Sequence, residues 1–355
     1  MVMGSGLRRP PARAAGSATA DVPGVAWAID GGVPRGRASA PAVGLGWVDL
    51  FLICLFLAGL YTNYTIMVSQ KVPLPSAPAG VAGLILLWRR RDEITPRALV
   101  GLCAILTFFL LSILLAPDLS WLSRRTNGLI QLTYSLVIGY GLFLTVRRAD
   151  PRQIAALFLS FSLVIVVGWL LEAYGGVCPI SDSVRNVLYR KGVYENDLRD
   201  LLFYNRVRPK FFASEPASVT FCYTLFTFIW LVASPWRLKL PIYLALVGIG
   251  LFAMPGPTLL LMLGLLLPYL LFLDSRRRGH IDATRFLVVA LVAALMALTA
   301  VFLAMTLFAE RLQTITSGND PSFFYRVQGP ALAGMDIINR YPLAGAGLTG
   351  EPFIE

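Results

Sequence analysis

The sequence has little charge, a single histidine and four scattered cysteines, and each scarcity narrows the class of protein. Charged residues make up 14% of the 355 positions, while 56% are hydrophobic; a soluble domain carries roughly 25% charged residues. Such a chain cannot cover its apolar residues with a polar surface, which excludes a soluble globular fold. The one histidine is His280, and no CxxC or Cys/His pair occurs. Neither a metal site nor a disulfide framework is therefore expected.

Positive charge exceeds negative charge, with 31 Lys and Arg against 20 Asp and Glu and a net charge of +11. In a soluble protein that excess is typical of nucleic-acid binding. Here most cations stand in short segments between long apolar runs, which is the distribution that sets the topology of membrane proteins. We therefore expect a protein that resides in the lipid bilayer and has no nucleic-acid partner.

The apolar runs predict an all-α fold, a polytopic integral membrane bundle of about nine transmembrane helices, because a helix needs roughly 20 apolar residues to cross a bilayer. The predicted spans are approximately 46–67, 73–88, 98–116, 127–146, 153–174, 217–234, 239–255, 257–273 and 284–308. The second run is short and contains Pro75 and Pro78, so its start is open. The "MPGP" sequence at 254–257 predicts a tight turn or a broken helix.

The basic short loops predict the orientation of these spans. The loops at 88–97, 146–152, 236–239 and 275–285 are rich in Lys and Arg and alternate as cytoplasmic loops should. The predicted organisation is a disordered cytoplasmic tail over 1–42, helices one to five over 43–174, a long outer loop over 175–216, helices six to nine over 217–308 and a second outer loop over 309–355.

The first long outer loop carries cations that the positive-inside pattern does not require. From Arg185 to Arg199 nearby acids partly balance them, which predicts a solvated loop with internal ion pairs. The last part, "RVRPKFFASEP", differs because Arg206, Arg208 and Lys210 follow one another with no acid among them. Three cations at a membrane interface favour an anionic head group. Arginine suits phosphate in particular, since its planar fork donates two hydrogen bonds.

Glu215 ends this segment and has two interpretations. It stands directly before Pro216, so it or Ser214 is suited to cap the sixth span, with the proline in the first turn. An acid there also complements the helix dipole. The structural role does not exclude a catalytic one.

Further cations are predicted on the same face. Arg124 and Arg125 precede the fourth span, where they either anchor it at head groups or contact a substrate. Arg326 follows an aromatic cluster in the second loop, and residues 326–339 predict a short helix with an apolar face. The "GAGLTG" sequence at 345–350 matches a nucleotide-binding fingerprint, but it has no strand–helix context, so we expect a glycine turn.

Two of these segments resemble the signatures of a known family. "RVRPKFFASEPAS" is similar to the Arg–aromatic–Ser–Glu–Pro motif of the O-antigen polymerase and ligase superfamily of bacterial envelope proteins. "SFFYRVQGPALAGMDIINRYPLAGAGLTG" is similar to its second signature, an outer-loop arginine followed by an amphipathic stretch and Pro-Leu-x-Gly-x-Gly. The resemblance covers the chain from about residue 46 onward.

The resemblance implies an all-helical, metal-independent and cofactor-free glycosyltransferase of the bacterial inner membrane. Its partners would be an undecaprenyl-pyrophosphate-linked glycan donor, a glycan acceptor and, in some systems, a chain-length regulator. Carried over by position, Arg206 or Arg208 and Arg326 would bind and stabilise the pyrophosphate leaving group. Lys210, Arg124 and Arg125 are further candidate contacts because they are predicted on the same face. Glu215 would orient or deprotonate the acceptor hydroxyl.

Three functions stay open at this point. Ligases of the family rely on an outer-face histidine, which this sequence lacks, so a polysaccharide polymerase is favoured over an O-antigen ligase. A multi-pass polysaccharide or lipid transporter would place charges deep in its spans, and no mid-span acid occurs. Relatives continue through further spans after the glycine turn, so the second outer loop is expected to be truncated.

Overall fold

The computed structural model describes residues 44–69, 72–116, 121–189, 200–201, 207–256 and 328–340, with scattered residues between 258 and 324. The helices are α1 (Trp47–Thr62), α2 (Ala77–Arg89), α3 (Pro96–Leu114), α4 (Leu122–Val146), α5 (Pro151–Ala173), α6 (Cys178–Leu188), α7 (Pro216–Ala233), α8 (Lys239–Ala253) and α9 (Gly329–Arg340). A single 3₁₀ turn over Arg91–Glu93 links α2 to α3, and two short strands, β1 (Ile66–Ser69) and β2 (Val72–Leu74), lie between α1 and α2.

Four helices within the described residues are long and apolar enough to cross a bilayer, namely α3, α4, α5 and α7. The chain is therefore a helical membrane protein. Two of these helices start where the sequence supplies both a cap and a proline. Thr95 accepts a hydrogen bond from the Ala98 amide ahead of Pro96, and Asp150 accepts one from the Arg152 amide ahead of Pro151.

The predicted spans agree with the helices over the middle of the chain. The runs at 98–116, 127–146, 153–174, 217–234 and 239–255 correspond to α3, α4, α5, α7 and α8. The chain leaves the helical conformation after Ala253, as "MPGP" predicts, and α9 lies where the second long loop predicts a short helix. The tail over 1–42 and most of the spans at 257–273 and 284–308 lie outside the described residues, so the count of nine stays a prediction.

The first two predicted spans, 46–67 and 73–88, were wrong at the ends that face each other. Helix α1 stops at Thr62 because Asn63 adopts a left-handed conformation with φ 50°. The chain then forms an antiparallel hairpin in which Ile66 pairs with Leu74. The side chains of Gln131 and Tyr134 on α4 donate to backbone carbonyls of this hairpin and the link to α2.

The closest helix packing is that of α2 against both α1 and α4, and that of α5 against α7. A Cβ atom at Gly141 would lie 2.4 Å from the carbonyl oxygen of Gly83, so α4 and α2 approach closely only because position 141 is glycine. Between α5 and α7, Phe158 packs edge-on against Phe226 with ring centres 5.6 Å apart. The buried hydroxyl of Ser162 on α5 lies 3.2 Å from that of Thr227 on α7.

The two ends of the bundle differ in composition. At one end α1 and α5 finish and α7 begins; we call it the motif end because residues 207–216 lie there. At the opposite end α2 and α4 finish and α5 begins, and arginine side chains from two inter-helix links meet around Glu93. Between the ends, Ile113 is the buried side chain of α3 while Leu99, Phe108 and others on it are exposed, as expected of a helix in contact with lipid.

Candidate functional site

Residues 210–213 of the motif form a tight turn with unusual backbone geometry. The Ala213 amide donates to the Lys210 carbonyl at 2.7 Å, which closes a four-residue turn. Both central residues have positive φ, 21° for Phe211 and 62° for Phe212. Turns of that kind normally take glycine or asparagine, because a Cβ atom clashes with the backbone. Such strain costs about 1–3 kcal/mol per residue and concentrates at functional sites.

The amides of this turn are held by acceptors from two helices. The Glu172 carboxylate, at the end of α5, accepts from the Lys210 and Phe211 amides, both at 2.9 Å. The Ser181 hydroxyl on α6 accepts from the Phe212 amide at 3.3 Å. Three successive backbone donors are thereby satisfied by side chains that lie at least 31 residues earlier in the chain.

The carbonyls of the turn are bound by two tyrosines. The Tyr61 hydroxyl at the end of α1 donates to the Phe211 carbonyl at 2.7 Å. The Tyr189 hydroxyl lies 2.9 Å from the Phe212 carbonyl and 2.7 Å from the Thr62 carbonyl, so its proton is shared between them. Burial raises the pKa of Tyr189 to about 12, so the hydroxyl stays protonated to higher pH than an exposed tyrosine would. Helices α1, α5 and α6 thus determine the conformation of the turn together.

Arg208 is oriented by an ion pair that the sequence pattern does not indicate. Its Nε and Nη2 atoms lie 2.9 and 2.8 Å from Oδ1 of Asp200, whose side chain is 1% exposed. The sequence places no acid among these cations, but the fold brings Asp200 to Arg208 from eight residues upstream. Lys210, the next predicted ligand, is also buried, at 6% exposure.

Arg185 belongs to the same end of the bundle, although the sequence pattern predicts a solvated residue there. Its side chain is 3% exposed and pairs with Asp182. Arg185 stands one helical turn after Ser181 on α6 and four residues before Tyr189, which follows the helix. Both of those residues contact Phe212, so we infer that Arg185 is on the side of α6 toward the turn. Its Nε and Nη1 atoms are buried without a hydrogen-bond partner in the described part of the chain. The sequence signal that could have identified Arg185 as a site residue is its spacing of four residues from Ser181, which places both on one face of a helix.

Glu215 occupies the N-cap position of α7, and Pro216 is the first helical residue. The backbone part of the helix-start interpretation is thus confirmed. The Glu215 carboxylate, however, makes no capping hydrogen bond and its side chain is exposed. The Ser218 amide instead donates to the Glu215 backbone carbonyl at 3.2 Å. An exposed carboxylate beside the turn remains suited to interact with a substrate hydroxyl.

The other predicted site residues divide into two groups. Arg124 and Arg125 lie at the start of α4, at the motif end, where the hairpin also lies. Arg124 is exposed and lies over the Trp121 ring, 4.4 Å from its centre, whereas Arg125 is fully buried. Arg206 and Arg326 lie outside the described residues. Arg208, Lys210 and Glu215 lie at the motif end, with Arg208 paired to Asp200, Lys210 buried and Glu215 exposed.

No protein-family model, curated protein or solved structure matches the chain. The fold and the site define a class of protein, a helical membrane protein with a preorganised, cation-bearing turn at one end of its bundle. Any narrower function is inferred from the chemistry of that turn and from the motif resemblance described above.

Proposed function

We propose that the chain is a membrane glycosyltransferase that polymerises undecaprenyl-pyrophosphate-linked glycan units at the outer face of the bacterial inner membrane. The observation that carries the proposal is the strained Phe211–Phe212 turn. A structural linker would not need two phenylalanines with positive φ, clamped by side chains from three helices. A backbone conformation stabilised from so many sides is suited to hold neighbouring cations in a fixed position.

The chemistry requires stabilisation of a leaving group rather than a strong base. The acceptor hydroxyl oxygen attacks the anomeric carbon of the donor, and the bond from that carbon to the pyrophosphate oxygen breaks. The electron pair leaves with the lipid pyrophosphate, whose charge is stabilised by cations at the site. Arg208 and Lys210 supply two of them, with Arg185 facing the same turn and Arg206 and Arg326 as further proposed ligands.

Glu215 is proposed to orient the acceptor and take the proton of its hydroxyl. Its exposed carboxylate is five residues from Lys210, at the positive end of the α7 dipole. Because pyrophosphate is a good leaving group, the mechanism needs no general acid. The prediction that no metal or cofactor takes part stays a prediction.

The test of this proposal exploits the Arg208–Asp200 pair. Removing Arg208 alone would take away the cation that pairs with the buried Asp200 carboxylate and destabilise the fold. The double variant Asp200→Ala/Arg208→Ala removes both charges, so folding should be retained while polymer formation by purified protein and lipid-linked repeat units is lost. Arg208→Lys keeps the positive charge but cannot donate two parallel hydrogen bonds to phosphate, so it should also lose most activity.

The matched control is Arg91→Ala. Arg91 is exposed at the opposite end, and its ion pair with Asp92 is long, at 3.8 Å, so its loss should cost little stability. Arg326→Ala and Arg326→Lys extend the test to the second motif. Wild-type glycan chain lengths from the folded double variant and from Arg326→Ala would overturn the assignment. Transfer of single units to a lipid acceptor would instead favour the ligase function, and movement of unpolymerised donor across the membrane would favour the transporter.

We further propose that the motif end faces outward and that the chain crosses the membrane nine times with a cytoplasmic N-terminus. Cys178, the first residue of α6, offers a native probe because its side chain is exposed at the motif end. A membrane-impermeant maleimide should label intact cells through Cys178 and not the Cys178→Ser variant. Labelling only after the cells are opened would reverse the orientation.

A further inference from the structure

A small cavity lies at the end of the bundle opposite the motif. Its volume is about 130 Å³, enough for several water molecules and therefore for a phosphate group. The lining residues are Gly44, Leu45, Arg90, Thr145, Arg148 and Ala149. They come from the start of α1 and the ends of α2 and α4. Two of them are cations and none is an acid.

Glu93 holds the two arginines of the cavity in place. Its Oε1 accepts from Nη1 of Arg90 at 3.4 Å, and its Oε2 lies 3.0 Å from Nε of Arg148. Asp49 accepts from Nη2 of Arg90 at 2.7 Å. The acids thus orient the guanidinium groups without lining the cavity themselves.

Donors remain on both arginines after these pairs are formed. The Nε atom of Arg90 is buried and has no hydrogen-bond partner in the part of the chain that the structure describes. Arg148 uses Nε for its ion pair, so its two terminal amino groups remain to bind another acceptor. Arginines after α2 and α4 also complement the dipoles of those helix ends. A role at the helix ends alone, however, does not explain why both arginines line one cavity or why Nε of Arg90 is buried without a hydrogen-bond partner in the described residues.

The position of the cavity along the bundle indicates what kind of anion reaches it. Three tryptophans stand at this same end: Trp47 at the start of α1, Trp88 near the end of α2 and Trp236 after α7. Their exposed fractions are 87%, 71% and 53%. Exposed tryptophan on a membrane protein is enriched where the hydrocarbon meets the head groups. The cavity therefore lies at the level of lipid phosphates.

We propose that this cavity binds the phosphodiester group of an anionic phospholipid in the leaflet at this end. Arginine forks match phosphate oxygens in geometry and charge, and the acid-free lining suits an anion. The proposal commits to a lipid because the cavity stands in the belt of exposed tryptophans. It is independent of the glycosyltransferase proposal, since it uses neither the turn nor its cations.

Native mass spectrometry of the full chain, released from nanodiscs of phosphatidylglycerol and phosphatidylcholine, tests the proposal. Wild-type protein should retain phosphatidylglycerol in preference to phosphatidylcholine. Arg148→Gln should retain about tenfold less, which corresponds to the loss of one charge-assisted hydrogen bond. Arg91→Gln removes a cation at the same end but outside the cavity lining and should leave retention unchanged.

Gly44→Leu keeps the test valid if Arg148→Gln does not fold. Position 44 lines the cavity, and the nearest atom to an added Cβ is Nε2 of Gln153 at 3.7 Å, so a side chain fits and fills the space without breaking an ion pair. Gly44→Leu should therefore also lose phosphatidylglycerol. Equal retention by the folded cavity variants and Arg91→Gln would overturn the proposal. Displacement of the lipid by millimolar inorganic phosphate would show an unspecialised phosphate site and overturn the commitment to lipid.

Discussion

Replacing Glu172 with glutamine should release the motif turn while leaving the helices intact. The carboxylate accepts two backbone hydrogen bonds, and bonds to a charged group contribute about 1.5–3 kcal/mol each. Glutamine retains one acceptor oxygen and presents an NH₂ group to the other amide. One charge-assisted bond is lost and a backbone donor is left facing a donor. We expect local opening of the turn to become easier by roughly 2–3 kcal/mol.

Hydrogen exchange measures this opening directly. A peptide covering 207–216 should exchange roughly 30- to 150-fold faster in Glu172→Gln, since each 1.4 kcal/mol corresponds to a factor of ten. A peptide from the first half of α5 should be unchanged, because its amides are bonded within the helix. Polymer formation should fall together with turn protection, as preorganisation of the cations is lost.

The matched control is Asp92→Asn, which removes one negative charge at the opposite end from a side chain that is 93% exposed. It should alter neither exchange nor activity. If the 207–216 peptide exchanges at the wild-type rate in Glu172→Gln, the carboxylate does not restrain the turn. If protection is lost while activity persists, the turn is structural and the proposed function loses its main support.

Three further outcomes are expected. Gly168→Ala should destabilise the protein by about 1–3 kcal/mol in thermal unfolding, because its Cβ would lie 2.3 Å from the Phe211 ring; Gly101→Ala, with nothing within 4 Å, is the control. Tyr189→Phe should lose less stability between pH 10 and 12 than the wild type. Burial raises the pKa of Tyr189 from 10.0 to about 12, so the unfolded chain releases that proton first and stability falls as pH rises through this window. Asp182→Asn should speed maleimide labelling of Cys178 at neutral pH; burial chiefly raises the pKa of that thiol, and the Asp182 carboxylate raises it further. An unchanged labelling rate would contradict that contribution.

The helices of the middle of the chain are predictable from sequence because apolar length is a local property. The hairpin is not, since its apolar ends, Ile66–Met67 and Pro73–Leu74, extend the apolar runs of the neighbouring spans. Asn63 decides the outcome by leaving the helix in a left-handed conformation, and the prolines at 73 and 75 delay the start of α2.

Only part of the candidate site follows from sequence in the same way. The sequence shows the cations of the motif, and Pro216 correctly predicts the start of α7. The Glu172 carboxylate binds the amides of Lys210 and Phe211, which lie 38 and 39 positions later in the chain. Their approach depends on how α5 packs against α7, which the sequence does not show. The burial of Arg185 could not be predicted for a related reason. It depends on α6 lying against a turn that is formed by residues more than 20 positions later in the chain.

The contact between Tyr61 and Phe211 also constrains when the site can form during synthesis. Their hydrogen bond spans 150 residues, and chains are made at about 5–20 residues per second, so roughly 8–30 s separate the two partners. Throughout that interval the Tyr61 hydroxyl has yet to meet the backbone carbonyl that it will bind. The site is therefore assembled late, after the first six helices, and a defect in the turn would arise in a bundle that is already largely built.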